Sequence, residues 1–319
     1  MRVAAGLRPR FSPGERWSYS NTGYVLLGVI VHRVTGVFYG DLLRERIFAP
    51  LGLRTARVIS ETDIVPNRAA GYRLAGDTLR NQQWVSPSLN TTADGSLYLT
   101  VHDLARWVVG LDRNLVLSAE DLAAAWTPVR LNDGGTYPYG FGWMLGELRG
   151  QPRIGHTGAW QGFRTSIQRF PSAGLTVIVL ANLEQARPEA ISLAVAGMLE
   201  PSLVPPHRLT SPLPGPGPPA AVETLLRRLA DGTEGEAATP GLRRFLADPE
   251  RTELRELVSD MPQWTPLGCD RPADHRFPRL GSEVAHVCYA RGQGSEGDLV
   301  VTVSYTADWQ AADVESYRF

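Results

Sequence analysis

Eight of the chain's 24 prolines lie between residues 201 and 219, in the run PSLVPPHRLTSPLPGPGPP. Proline fixes φ and has no backbone N–H, so neither a helix nor a central strand crosses this run. It reads as a semi-rigid linker. Apolar surface must therefore be buried separately by residues 1–200 and by residues 220–319, and both stretches are of ordinary domain size. With 43% apolar and 20% charged residues, the composition is that of a folded, soluble chain.

All 32 basic residues are arginine, against 33 acidic residues; there is no lysine. That removes a Walker phosphate loop, a Schiff-base enzyme and any Ser-x-x-Lys acyl transferase contained wholly within these residues. Arginine is no substitute, because its pKa above ~12 keeps it protonated. The net charge of −1 provides no field to hold a polyanion, so no nucleic-acid partner is expected. The six histidines are scattered, and neither His-Glu-x-x-His nor paired Cys-x-x-Cys occurs, so neither a metal nor a cofactor is expected. Cys269 and Cys288 form one bridge or none. The first seventeen residues have no apolar run behind their arginines and do not read as a signal peptide. Tyr24 to Val31 falls far short of the ~20 residues of a membrane span.

Before the linker, Thr22 to Thr35 is an apolar helical stretch closed by Gly36, and Asp41 to Phe48 predicts a second helix closed by Pro50. Residues 52–98, rich in Gly, Pro, Asn and Ser, read as irregular. Thr100 with Asp103, and Ser118 with Asp121, open two further helices. From Tyr137 the pattern changes to YPYGFGWML, RIGHTGAW, GFRTSIQRF and LTVIVLAN, four short runs with tight connections that predict an antiparallel sheet. Pro188 to Leu199 reads as a helix across it. After the linker come helices at 220–230 and 240–258 and strands near 283–290, 299–305 and 312–319, a small α+β module.

Two sites carry residues suited to chemistry. Tyr19-Ser20-Asn21 places a phenol and a carboxamide at a helix N-terminus, where Ser20 or Asn21 also serves as an ordinary cap. Gly155-His156-Thr157-Gly158-Ala159 places an imidazole and a hydroxyl on a strand whose small residues let a substrate backbone approach, although a histidine there also fits a structural role. His32 and His102 read as structural. Trp160 and Phe163, beside the second site, line either a pocket or the core.

These motifs stand in one order with the Asp94-Gly95-Ser96-Leu97-Tyr98 loop, the Asp103-Leu104-Ala105-Arg106 helix and Tyr139-Gly140-Phe141-Gly142-Trp143. Over residues 11 to about 200 that order resembles the serine β-lactamase and penicillin-binding hydrolase superfamily, in the branch of class C β-lactamases, D-alanyl-D-alanine carboxypeptidases, D-aminopeptidases and esterases. The resemblance implies an α+β fold, an antiparallel sheet flanked by helices, and a serine acylated by an amide, ester or β-lactam and released by water. Carried over, Tyr19 is the proton-transfer phenol and Asn21 the amide that holds the substrate side chain. His156, Thr157 and Gly158 are the strand motif that begins with Lys in β-lactamases. The N–H of Ala159 is one of two oxyanion donors. The expected ligand is a small molecule or a peptide. Members are often periplasmic or secreted, while the chain itself leaves its location open.

The family's Ser-x-x-Lys, which precedes Tyr-x-Asn by many tens of residues, has no counterpart here. Ser166-Ile167-Gln168-Arg169 has the spacing, but on a strand positions i and i+3 face opposite ways and arginine accepts no proton. No Gly-x-Ser-x-Gly elbow replaces it. Without that lysine, Tyr19 keeps a pKa near ~10 and is a poor base at neutral pH. The expectation is a hydrolase domain over 1–200 lacking its N-terminal part, with a start placed at an internal Met1, a linker over 201–219 and a module over 220–319, inactive by itself. The alternative is a non-catalytic binder of peptidoglycan-like or β-lactam ligands.

Overall fold

The computed structural model describes residues 8–58, 63–83, 92–204, 222–231, 233, 235–247, 256, 258, 260, 261, 263–270, 280–294 and 297–318. They fall into two compact units. One comprises Met1–Ala125, Thr157–Ile167 and Ile178–Pro188; the other comprises Trp126–His156, Gln168–Val177 and Glu189–Phe319.

In the first unit, helix α1 (Asn21–Thr35) begins where Ser20, in extended conformation, accepts the Gly23 N–H, and it ends at Gly36, whose φ of 73° suits a residue without Cβ. None of its residues is buried. Helix α2 corrects the sequence reading. It runs through Tyr39–Leu43, widens into a π turn over Arg44–Phe48 and continues through Ala49–Leu51 to Gly52, rather than stopping at Pro50. Pro50 lacks the N–H for Arg46 C=O and would crowd that carbonyl in a regular helix; the wider turn just before it relieves the conflict.

Residues 52–98 also depart from the irregular reading. Strand β1 (Arg57–Val58) pairs with β4 (Leu97–Tyr98), and β2 (Tyr72–Ala75) with β3 (Thr78–Asn81) form a hairpin turning at Gly76, φ 57°. Helix α3 (Val101–Asp112) is capped by Thr100. The capping-box pattern predicts that Asp103 reaches back to the cap; instead its buried carboxylate accepts from the N–H and hydroxyl of Thr55, and Thr55 Oγ1 takes the Thr100 N–H. Helix α4 (Ala119–Ala125) starts at Ser118, whose Oγ accepts from Asp121 N at 3.0 Å.

The central sheet has the order β10-β9-β8-β7, as its short connections predict. Its strands are β7 (Met144–Leu148), β8 (Gln151–Trp160), β9 (Phe163–Phe170) and β10 (Leu175–Ala181). The turn between β7 and β8 is Arg149-Gly150, both at positive φ, and that between β8 and β9 is Gln161-Gly162, also both positive, the twist a tight hairpin requires. The run YPYGFGWML is not one strand. Strand β5 (Val129–Arg130) pairs with β6 (Thr136–Tyr137), and a glycine turn separates them from β7. Helix α5 (Pro188–Leu199) is tied to the sheet through its second residue, since Glu189 accepts from Arg153 at 2.9 Å.

The stretch expected to be a linker lies, from 205 to 219, outside the described residues. Beyond it, helix α6 (Val222–Asp231) buries Val222, Leu225, Leu226 and Leu229, a single stripe at i, i+3, i+4 and i+7. Each contributes roughly 1.5–3 kcal/mol of apolar burial. Of the helix predicted at 240–258, the described core is α7 (Pro240–Leu246). The module's sheet runs β11-β12-β13-β14, from β11 (Gln263–Asp270) and β12 (His286–Gly294) to β13 (Gly297–Tyr305) and β14 (Ala311–Arg318). Strand β11 is absent from the sequence reading. It carries Pro266, and it lies at the sheet edge, where a missing N–H is tolerated, with a bulge between Pro266 and Gly268. Cys269 and Cys288 stand directly opposite on β11 and β12 and form the disulfide.

Candidate active site

The first unit carries Tyr19 and Asn21. Because Ser20 supplies the cap, the phenol before it and the carboxamide after it are released from capping, and both side chains are exposed. Burial of part of its ring pushes the Tyr19 phenol above its ordinary range, and the charges of Tyr24 and Asp94 push it the same way. Asp94 comes near through a close approach: a Cβ on Gly28 would lie 2.5 Å from Ala93 Cβ, so the loop before Asp94 rests directly on α1. The neighbouring Tyr39 phenol donates to Thr92 C=O at 3.2 Å and is pushed up to about 12, by burial first and then by Asp94. Asp94 was legible as part of a motif, but nothing in the spacing joined it to Tyr19.

Thr157, Gly158 and Ala159 belong to the same unit, on β8. Ala159 is exposed and the other two are half-buried. Gly158 is required by the neighbouring strand, since a Cβ there would fall 2.4 Å from Thr165 Oγ1. The β8–β9 turn is fixed in the same way. A Cβ on Gly71 would strike the Gln161 carbonyl oxygen at 1.9 Å, and one on Gly162 would lie 2.7 Å from Tyr72 N. The end of β8 is thus held by backbone packing.

His156 falls in the second unit, where its Nε2 lies 2.9 Å from the Tyr139 hydroxyl and the two rings meet edge to face. When the phenol donates, Nε2 is the acceptor and the neutral imidazole carries its proton on Nδ1. Tyr139 is buried and its backbone is held on both sides: its C=O accepts the Val129 N–H at 3.0 Å, and it bridges to Met144. Gly142, at φ 76°, makes the turn that returns the chain to β7. Sequence reasoning singled out Tyr139 to Trp143 as a motif but assigned Tyr139 no role, because its partner lies 17 residues away across a fold.

Ser166 and Arg169 are buried on β9, and Arg169 sits over the Trp126 ring at 4.8 Å. Among the described residues no group of three or more His, Cys, Asp or Glu converges, and no single helix is long and apolar enough to cross a membrane.

The chain is 34% identical over 197 residues to penicillin-binding protein 4* of Bacillus subtilis (strain 168), covering 58% of this chain and 44% of that protein. It is 31% identical over 174 residues to the D-aminopeptidase of Brucella canis, covering 54% of this chain and 33% of the relative. The chain thus spans less than half the length of these curated relatives. Among solved structures, a D-stereospecific amidohydrolase from Streptomyces sp. aligns with TM-score 0.52 at 26% identity, over 61% of this chain and 58% of that one. The octameric penicillin-binding protein homologue from Pyrococcus abyssi aligns with TM-score 0.54 at 21% identity, over 97% of this chain and 63% of that one, a likeness of fold. The family model described as Beta-lactamase matches residues 1–199, and the chain belongs to that serine β-lactamase and penicillin-binding family.

Proposed function

We propose that this chain carries the proton-transfer and substrate-binding side of a serine acyl-transfer site for amides, esters or β-lactams, and that these 319 residues form no acyl-enzyme by themselves. The observation that carries the reading is the corner at α1, where Ser20 caps the helix and the flanking Tyr19 and Asn21 are both exposed at its N-terminus. In this reading Tyr19 moves a proton and Asn21 holds the substrate side chain. His156 and Thr157 bind its carboxylate or acyl portion, Gly158 admits its backbone, and the Ala159 N–H donates to the oxyanion. The names of the relatives, a penicillin-binding protein and a D-aminopeptidase, support a small-molecule or peptide substrate. The proposed organisation is a hydrolase domain over 1–200, a linker over 201–219 and a module over 220–319.

Acylation needs a serine activated by a neighbouring base, and the sequence has no lysine to provide Ser-x-x-Lys. The direction of the Tyr19 shift supports the same conclusion. Raised rather than lowered, the phenol is no better prepared to act as a base than an ordinary tyrosine. A nearby ammonium is what would reverse the shift. That direction also favours the second reading, a chain that binds such ligands without turnover.

The test joins a Ser-x-x-Lys segment in frame ahead of residue 1 and measures ester hydrolysis. Tyr19→Phe should reduce turnover by roughly 10² to 10⁴ with folding intact. His156→Ala should raise KM more than it lowers kcat. Near-full turnover by Tyr19→Phe would remove Tyr19 from the proton path.

A further inference from the structure

The segment that delivers Tyr139 to His156 is anchored on the C-terminal module. Asp133 Oδ2 lies 2.9 Å from Arg244 Nε on α7. The next residue of α7, Phe245, stacks on Tyr137 with centroids 5.6 Å apart and planes at 26°, and Tyr137 packs against the module's core. Thr136 Oγ1 accepts the Gly281 N–H at 3.1 Å. Gly281, at φ 84°, runs so close to the segment that a Cβ on it would lie 3.2 Å from Gly135 Cα. The module side of the contact is itself locked, since a Cβ on Gly241 would lie 2.0 Å from the Leu280 carbonyl oxygen. At the β7–β8 turn, Arg149 Nε donates to Asp270 Oδ2 at 3.0 Å, and the Tyr289 hydroxyl reaches the same oxygen.

Strand β6, which carries Thr136 and Tyr137, has two residues and, among the described residues, pairs with the two of β5. A ribbon that short does not hold its own position. A hydrogen bond from Tyr139 to His156 nevertheless requires the phenol oxygen to be placed within a few tenths of an ångström. Val129 and Met144 hold the Tyr139 backbone, and α7 with the turn at Gly281 packs on the ribbon that leads to it and adds a second restraint.

We infer that the C-terminal module is a brace for His156. Phe245, Arg244 and Gly281 are positioning residues that act through Tyr137 and Tyr139 and touch no reacting atom. Through the phenol they fix the orientation of the imidazole. The inference rests on the reading of His156 as a ligand-binding residue, and its readout is independent of turnover.

The experiment uses the full 319-residue chain and records isotope-edited imidazole spectra across the histidine titration range, with circular dichroism to verify folding. Tyr139→Phe provides the reference for a lost hydrogen bond. Phe245→Leu, which keeps bulk but not the stack, and Arg244→Gln, at a largely exposed position, should each move the His156 nitrogen chemical shifts toward those of Tyr139→Phe. Neither should have a further effect when added to Tyr139→Phe. If Phe245→Leu fails to fold, Arg244→Gln and Asp133→Asn decide. Folded variants that leave His156 at its wild-type shifts would overturn the brace, as would a Tyr139→Phe that leaves His156 unmoved. Failure of His156 to bind substrate would overturn the site reading and leave this result untouched.

Discussion

The Tyr139 hydroxyl lies 2.9 Å from His156 Nε2, and the two rings meet edge to face with centroids 5.8 Å apart. A buried hydroxyl is thus matched to one nitrogen of the imidazole, whose tautomer sets which of the two groups donates. The pairing holds the imidazole at the first residue of the His-Thr-Gly run, which is followed at once by small residues.

Gly158 is set by its neighbour. Gly158→Ala puts a methyl 2.4 Å from Thr165 Oγ1, and a β-branched side chain has few rotamers in which to yield. Chemical denaturation should show a loss of roughly 1–3 kcal/mol. Adding Thr165→Ala should recover most of it. An undiminished loss in the double variant would place the cost elsewhere.

Alkaline titration isolates the tyrosines, because the chain has no lysine and its described cysteines are joined. Tyr39 is pushed up to about 12 from 10.0 by burial and by Asp94. The folded state therefore keeps a proton that the unfolded chain releases. Its contribution is complete below the unfolded value and is lost as pH rises from about 10 through about 12. Allowing for screening at a partly exposed ring, the loss is about 1–2 kcal/mol. Tyr39→Phe should flatten this limb of the stability profile while leaving the part due to Tyr305, which burial also raises. An unchanged limb would contradict the assignment.

Helix α1 presents Leu27 and Ile30 at 53% exposure and Val34 at 81% on an otherwise apolar surface. Patches of this kind attract hydrophobic dyes and promote association. The chain should enhance the fluorescence of such a dye, and Ile30→Gln with Val34→Gln should reduce both dye binding and the sedimentation-detected association. A monodisperse chain that binds no dye would contradict the exposure of this face.

The parts of the fold that were legible in the sequence are those with a local cause. Ser20 before an apolar run marks the start of α1, and Gly36 marks its end. Glycine punctuation separates the strands of the central sheet, and the Val222 stripe marks α6. The hairpin of β2 and β3 escaped because β3 is exposed at every position, so no alternation of apolar and polar residues records a buried face. Strand β11 escaped because Pro266 is disfavoured within a sheet yet tolerated at its edge. Pro50 misled because a π turn absorbs the missing N–H. At the candidate site, Tyr19, Asn21 and the His156–Ala159 run stood out by residue type, and their proposed roles came from the order of the motifs and the family resemblance. Asp94 beside Tyr19 and Tyr139 on His156 were not, since each depends on a close approach of segments distant in sequence.

The most direct measurement of the account's central claim is intact-protein mass spectrometry of the purified 319-residue chain after incubation with a fluorescent penicillin and with an activated ester. In the proposed reading the chain lacks the Ser-x-x-Lys pair that would supply the nucleophile and its base. The account predicts an unshifted mass with both reagents. A stoichiometric adduct mapped to any serine between residues 11 and 200 would contradict it.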